Sequence, residues 1–239
     1  MPLISIILCT YNRGHLIERA IRSVFRQTWK DWELIIVDDG STDGSGALLS
    51  SFARRTPGVR YFRQENRGPA SARNVGLRRA RGEYVAFLDS DDEYTPGHLA
   101  RMARYLGDHR RLDAVYGILK PVGPRTRQYV PDVDHPGRRI HVSRCHATGT
   151  LLARRASLRL IGGFRLVPFS EDYDLIRRLG RRCRIARVPF RTYRYHVDAD
   201  HRLCDLFDKA GVVGIRRFRR GSDGEGKVSL RGRLLSSRS

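Results

Sequence analysis

Lysine is almost missing from this chain. Only Lys30, Lys120, Lys209 and Lys227 occur, among 46 Lys+Arg set against 25 Asp+Glu, so arginine carries the net charge of +21. Such a surface favours polyanions: nucleic acid, anionic headgroups or phosphorylated small molecules. A coding bias towards arginine explains the same composition without any partner, because the arginines run along the whole 239 residues. Cysteine is scarce as well. Cys9, Cys145, Cys183 and Cys204 form no CxxC pair and no Cys/His zinc spacing. That argues against a zinc site and fits reduced thiols in the cytoplasm. No run approaches the roughly 20 apolar residues of a membrane span. The opening "MPLISIILCTYN" lacks the basic start of a signal peptide, and its apolar run is short. No RNA-binding aromatic signature or helix-turn-helix pattern stands out, so no specific nucleic-acid partner is expected. The expectation is a soluble cytoplasmic protein, or one peripheral at the inner face of the membrane.

What is present is an ordinary 40% of hydrophobic residues, enough for one domain with appendages. "LISIILC" reads as a buried strand, and the next stretch repeats Ile17, Ile21, Phe25 and Leu16, Ala20, Val24 at helical spacing. Strands are expected at 33–39, 59–64, 83–92 and 113–119, with helices at 45–55, 67–82 and 96–106 between them. Alternation of this kind implies right-handed βαβ units and a mostly parallel sheet covered on both faces. After residue 120 the alternation stops. Residues 120–139 are rich in Pro, Gly and charge and read as a loop or hairpin over the site. A strand and short helix ending at Gly162-Gly163 should follow, then a helix over 170–180 with Ser170 as N-cap, then short strands near 184–188 and 191–195. Trp29 and Trp32 read as core.

In such sheets ligands sit beyond the carboxyl ends of the strands. Two acidic clusters fall there: "VDDGSTD" with Asp38 and Asp39, and "LDSDD" with Asp89, Asp91 and Asp92. Like charges this close repel unless something positive offsets them. A hard divalent cation, Mg²⁺ or Mn²⁺, suits oxygen ligands and bridges to a diphosphate. Arg73 is a second positive group that can approach the same ligand. Glu171-Asp172 is the candidate proton acceptor, although a carboxylate at a helix start normally keeps a low pKa. His196 is a further candidate metal ligand. His146 and His201 carry less weight.

Together "SIILCTYNR", "AIRSVFRQTWKDWELIIVDDGSTDGS", "NRGPASARNVGLRRARGEYVAFLDSDD" and "GGF…SEDYDLIRRLG" resemble a family-2 glycosyltransferase with the GT-A fold. The resemblance covers roughly residues 3–200. It implies a nucleotide pocket lined by Thr10, Tyr11, Asp39 and Arg73, with Asp39 reading the base. Asp89-Ser90-Asp91 matches the family's DxD, with Asp89 towards the ribose and Asp91 on the metal; Asp92 can share either role. Asp172 matches the base of the "ED" motif, with Glu171 beside it at the substrate. His196 resembles a late histidine that binds metal or diphosphate. The implied donor is a UDP-, GDP- or dTDP-sugar and the cofactor Mn²⁺ or Mg²⁺. The acceptor would be a saccharide or a lipid-linked saccharide in cell-envelope polysaccharide or glycoconjugate biosynthesis. The QxxRW motif and membrane helices of processive members are absent, which implies a single sugar transfer; the expected mechanism is one inverting displacement. "GGFRLVPFSED" departs from the usual "GGFDE", so the acceptor edge is the part least defined.

Two rival readings remain. A sugar nucleotidyltransferase shares the layout but normally opens with a Gly-rich basic loop, where this chain has "CTYNRG". A non-catalytic polyanion-binding protein would exploit the charge alone. The expected organisation is a GT-A domain over 1–210, with a nucleotide-sugar half to about 117 and an acceptor half from 118, then a basic tail over 211–239. "GIRRFRR" in that tail suits an anionic membrane surface.

Overall fold

A computed structural model describes residues 4–135, 137–167 and 170–199. The expected tail, together with His201 and Cys204, lies outside the described residues. The chain begins β1 (Ile4–Thr10), α1 (Ile17–Phe25), β2 (Trp32–Asp38), α2 (Ser45–Arg55), β3 (Val59–Arg63), α3 (Pro69–Arg79) and β4 (Tyr84–Asp89). It continues with β5 (Glu93–Tyr94), α4 (His98–Asp108), β6 (Ala114–Tyr116), β7 (Leu119–Val122), β8 (Tyr129–Pro131) and β9 (Arg139–His141). The last described elements are β10 (Leu151–Arg154), α5 (Arg155–Leu160), α6 (Glu171–Arg182), β11 (Ile185–Arg187) and β12 (Tyr193–His196). None of the described helices is long and apolar enough to cross a membrane.

The central sheet has the order β11-β6-β10-β4-β1-β2-β3. Its pairs are parallel except around β10, which runs antiparallel to both β4 and β6. Side chains alternate across each strand, and the two faces bury different helices. Ile6, Leu8, Leu34, Ile36 and Leu88 pack with Val24 of α1, Leu49 of α2 and Met102 of α4. Ile7, Ile35, Val37 and Phe87 pack with Leu77 of α3, Leu158 of α5 and Leu175 of α6. Continuous apolar strands are what a sheet covered on both sides requires.

Register fixes the working edge. Thr10 pairs with Asp38 and Cys9 with Asp89, so the ends of β1, β2 and β4 reach one level. Because β10 is antiparallel, the segment that enters it reaches the sheet at this same edge, where Leu151 pairs with Tyr116.

Three details differ from the sequence reading. The strand expected over 113–119 breaks after Tyr116, and Leu119 starts β7 in a second sheet of order β5-β12-β7. Gly117 allows the break: a Cβ there would stand 2.6 Å from the Phe190 carbonyl oxygen. The strand expected over 83–92 stops at Asp89, where a turn begins. Ser170 does precede α6, but its side chain caps nothing and its φ is +59°. Beyond β7 the expected hairpin is present as β8 paired with β9, Tyr129 opposite His141.

Gly149 marks a tight contact behind the cleft, because a Cβ there would run into the Tyr193 ring. Tyr193 is 1% exposed and has nowhere to retreat. Gly149→Ala is expected to cost about 1–3 kcal/mol, the usual penalty for overpacking. A urea midpoint equal to that of the parent would show that Tyr193 moves freely.

Candidate active site

A cleft of about 610 Å³ opens over the edge formed by β1, β2 and β4, a size suited to a small-molecule ligand. Its lining brings together Thr10, Tyr11, Asp39, Arg73, Asp89, Asp91, Glu171 and Asp172. These span residues far apart in sequence, joined by four different elements and their loops.

Arg73 is the positive group that the acidic run requires. It lies on α3 and is 6% exposed. It donates to Asp89 Oδ1 and to Glu171 Oε1, each at 2.7 Å, and stands 3.6 Å from Asp172 Oδ1. These carboxylates hold its pKa well above the usual arginine value despite burial. One guanidinium among three carboxylates leaves an excess of negative charge on the cleft floor, within a chain whose net charge is +21. Asp91 adds to that excess. Its carboxylate accepts from its own backbone N–H, and its pKa is raised by burial and then by Asp89. Arg13 and Arg19 oppose that rise, and Arg19 also donates to the Asp91 carbonyl.

Asp172 lies in the first turn of α6, beside Arg73. Thr148 holds it with two donors, N–H to Oδ2 at 3.0 Å and Oγ1 to Oδ1 at 2.6 Å. Burial pushes its pKa up to about 6. Glu171 and Asp89 add to the rise, while Arg73 and Thr148 oppose it. The low value expected at a helix start is therefore overturned, because desolvation outweighs the helix dipole. Backbone tension flanks the cleft on both sides: the only described non-glycine residues at positive φ are Asn12 and Ser170.

The nucleotide side is built from loops tied to one another. Asn12 Oδ1 accepts from Thr42 N–H at 2.7 Å, and Asn12 N–H donates to Ser41 Oγ at 3.0 Å. Thr10 Oγ1 is buried with no partner. Tyr11 is 45% exposed at the mouth. Asp39 accepts from Gln64 Nε2, Arg67 N–H and Gly68 N–H at 2.6–2.9 Å. A carboxylate has about four lone-pair sites, so three go to shaping the loop before α3. Cys9 contributes no nucleophile: burial raises its thiol to about 12.

Of the other two expected metal ligands, Asp92 lines the cleft and His196 does not, and both take protein partners. Asp92 is 1% exposed and accepts from Tyr193 Oη at 2.7 Å and His196 N–H at 2.8 Å. Burial, then Asp91 and Asp89, raise its pKa well above the ordinary carboxylate value. It braces the DxD turn against β12. His196 is absent from the cleft lining; its Nε2 lies 3.2 Å from Glu93 Oε1 and its Nδ1 3.7 Å from Asp198 Oδ1. Among the described residues no group of three or more His, Cys, Asp or Glu is poised around one point. Asp91 and Asp89 offer carboxylate oxygens of the kind that Mg²⁺ or Mn²⁺ takes alongside phosphate and water.

Sequence reasoning missed Thr148, Tyr193, Gln64 and Asn12. Tyr193 left one signal, since a tyrosine in a buried strand needs a partner for its hydroxyl. Thr148 left none.

Known proteins match this arrangement. The sequence profile of Glycosyl transferase family 2 matches residues 5–168, well over half of the chain. The uncharacterized glycosyltransferase EpsJ of Bacillus subtilis (strain 168) is 40% identical over 132 residues, covering 55% of this chain and 38% of EpsJ. The chain thus spans less than half the length of that relative. Residues 1–349 of S. aureus TarS in complex with UDP-GlcNAc superpose with a TM-score of 0.68 at 23% identity, over 84% of this chain and 60% of that one. The mannosyltransferase PcManGT of Pyrobaculum calidifontis, in complex with GDP-Man and Mn²⁺, gives 0.67 at 22% identity, over 95% and 66%. These two likenesses carry the fold, the GT-A arrangement expected from the sequence. The chain belongs to glycosyl transferase family 2.

Proposed function

We propose that this chain transfers a sugar from a nucleoside-diphosphate sugar to an acceptor hydroxyl, in one inverting displacement without processivity. The observation that carries the reading is Asp172, a carboxylate raised to about 6 and clamped by Thr148 in the same cleft as the DxD carboxylates. A base with a pKa near the working pH is suited to proton abstraction.

The donor occupies the β1–β2–β4 side in this reading. Tyr11 offers a ring to the base, and the remaining lone pair of Asp39 accepts a base N–H. Thr10 supplies a hydroxyl, and Asp89 faces the ribose. UDP-GlcNAc and GDP-Man in the structural neighbours support a nucleotide-sugar donor without choosing the base. Asp91, with Asp89, would hold Mn²⁺ or Mg²⁺, which when bound neutralises diphosphate charge. Arg73 keeps Asp89 and Glu171 in place and adds fixed positive charge to the floor. Asp172 takes the proton of the acceptor hydroxyl as its oxygen attacks the anomeric carbon, and the nucleoside diphosphate leaves. Residues 1–117 serve the donor and 118–210 the acceptor, a saccharide or lipid-linked saccharide of the cell envelope. The basic residues 211–239 are assigned to peripheral contact with an anionic membrane.

Product analysis tests the reaction class. Incubation with UDP-, GDP- and dTDP-sugars should release nucleoside diphosphate and yield a glycoside of inverted anomeric configuration. Pyrophosphate released from a nucleoside triphosphate and a sugar phosphate would identify a nucleotidyltransferase instead. The membrane assignment is checked by vesicle co-sedimentation: the full chain should bind anionic vesicles at low salt and a chain ending at Gly214 should not. Equal binding by both, or by neither, would remove it.

A further inference from the structure

We propose that His146 and Tyr173 form the wall of an acceptor subsite for a neutral pyranose, with the His146 imidazole hydrogen-bonding a sugar hydroxyl. The inference rests on the glycosyl-transfer reading above and extends it to the side of the cleft that the sequence left undefined.

Position comes first. The donor side of the edge is β1, β2 and β4, and β10 and β6 lie on the other side of β4. His146 belongs to the segment entering β10 and lines the cleft. Two residues later Thr148 clamps Asp172, and Tyr173 follows Asp172 on α6. A group beside the base and across β4 from the donor meets the molecule whose proton the base removes.

Chemistry comes second. His146 makes no hydrogen bond or ion pair with any described residue, and its Nδ1 is buried without a partner. Buried polar atoms are nearly always satisfied, so this unengaged ring is unusual; with Nδ1 buried, Nε2 is the nitrogen left to meet a ligand. Its ring packs between Tyr116, centroids 5.4 Å apart, and Tyr173, 5.6 Å apart. Burial and then Arg187 lower its pKa, so the ring is neutral at pH 7, one nitrogen a donor and the other an acceptor. Neutral imidazole matches an uncharged hydroxyl. Tyr173 is itself fixed, its hydroxyl donating to Asp134 on the loop between β8 and β9 at 2.7 Å. A fixed aromatic ring offers a surface for the C–H face of a sugar. Val130, Pro131 and Ile140 of the same hairpin continue that apolar wall.

The test uses the full chain with ring-labelled histidine, observed by NMR. The His146 signal is assigned by its loss in His146→Phe, which keeps a ring between the two tyrosines and removes the nitrogens. Methyl glycosides of glucose, galactose, mannose and N-acetylglucosamine are the probes. At least one should shift the His146 signal saturably. With that glycoside as acceptor, His146→Phe should raise the acceptor KM about tenfold or more, corresponding to the loss of a hydrogen bond. His146→Gln, which keeps a donor and an acceptor, should recover part of the loss. Donor hydrolysis to water, which needs Asp172 but no pyranose, should be unchanged in both variants. The proposal is overturned if no glycoside shifts the signal. An unchanged acceptor KM overturns it too, as does an equal fall in hydrolysis and transfer, which would mean His146 only supports the base. Failure of the transfer reading looks different: no nucleotide sugar is hydrolysed, whatever the histidine signal does.

Discussion

Asp172→Asn is expected to slow sugar transfer by about 10²-fold or more, the scale set by loss of a general base, while nucleotide-sugar affinity stays near that of the parent. The variant should fold. Thr148 can still donate to the amide oxygen, and removing the charge relieves the desolvation that raises the carboxyl to about 6. The sign follows from linkage. An acid whose pKa is higher folded than unfolded binds protons more tightly in the native state, so it weakens stability as pH rises from the unfolded value through about 6. Asparagine removes that loss, and the variant should melt no lower than the parent at pH 7. The parent should show the same group in its rate. Because the base works deprotonated, log kcat should climb with pH up to about 6 and flatten above, and Asp172→Asn should lack that limb. A variant that loses donor binding instead would move Asp172 to the donor side.

Asp91→Asn is expected to remove detectable transfer with little effect on folding. The residue sits in the turn after β4, and its carboxylate accepts from its own backbone N–H, a bond that the amide oxygen of asparagine can keep. What is lost is one of the two oxygen ligands available to a divalent cation, and a neutral amide oxygen is a much poorer one. Binding of Mn²⁺ in the presence of nucleoside diphosphate should weaken in parallel, which separates this variant from one that merely damages the base. Near-full activity at limiting Mn²⁺ would show the metal assignment to be wrong.

The sequence disclosed the sheet and helices to the extent that their signals were local. Apolar strands of five to seven residues, and amphipathic helices such as α1 and α4, announce themselves by periodicity. The break at Gly117 was not legible, because it depends on the Phe190 carbonyl arriving from a distant loop. The same holds within the site. Asp89, Asp91 and Asp172 stood out as acids at strand and helix ends, and Arg73 as a cation near them. Their order of contact was not readable: nothing local says that Arg73 would take Asp89 and Glu171 while standing off from Asp172. The protein partners of Asp92 and His196 were hidden for a related reason. Residue type names both residues as ligands, but β12 docks beside the DxD turn and gives Asp92 to Tyr193 and to the His196 backbone. The raised pKa of Asp172 needed the whole cleft, because burial comes from elements on every side.

The most direct measurement is release of nucleoside diphosphate by the purified chain from UDP-, GDP- and dTDP-sugars with Mn²⁺. At least one nucleotide sugar should be turned over by the parent, and neither Asp91→Asn nor Asp172→Asn should turn it over at a comparable rate. Absence of turnover across the whole panel, together with tight DNA binding that falls steeply with salt, would contradict the account and leave a polyanion-binding protein in its place.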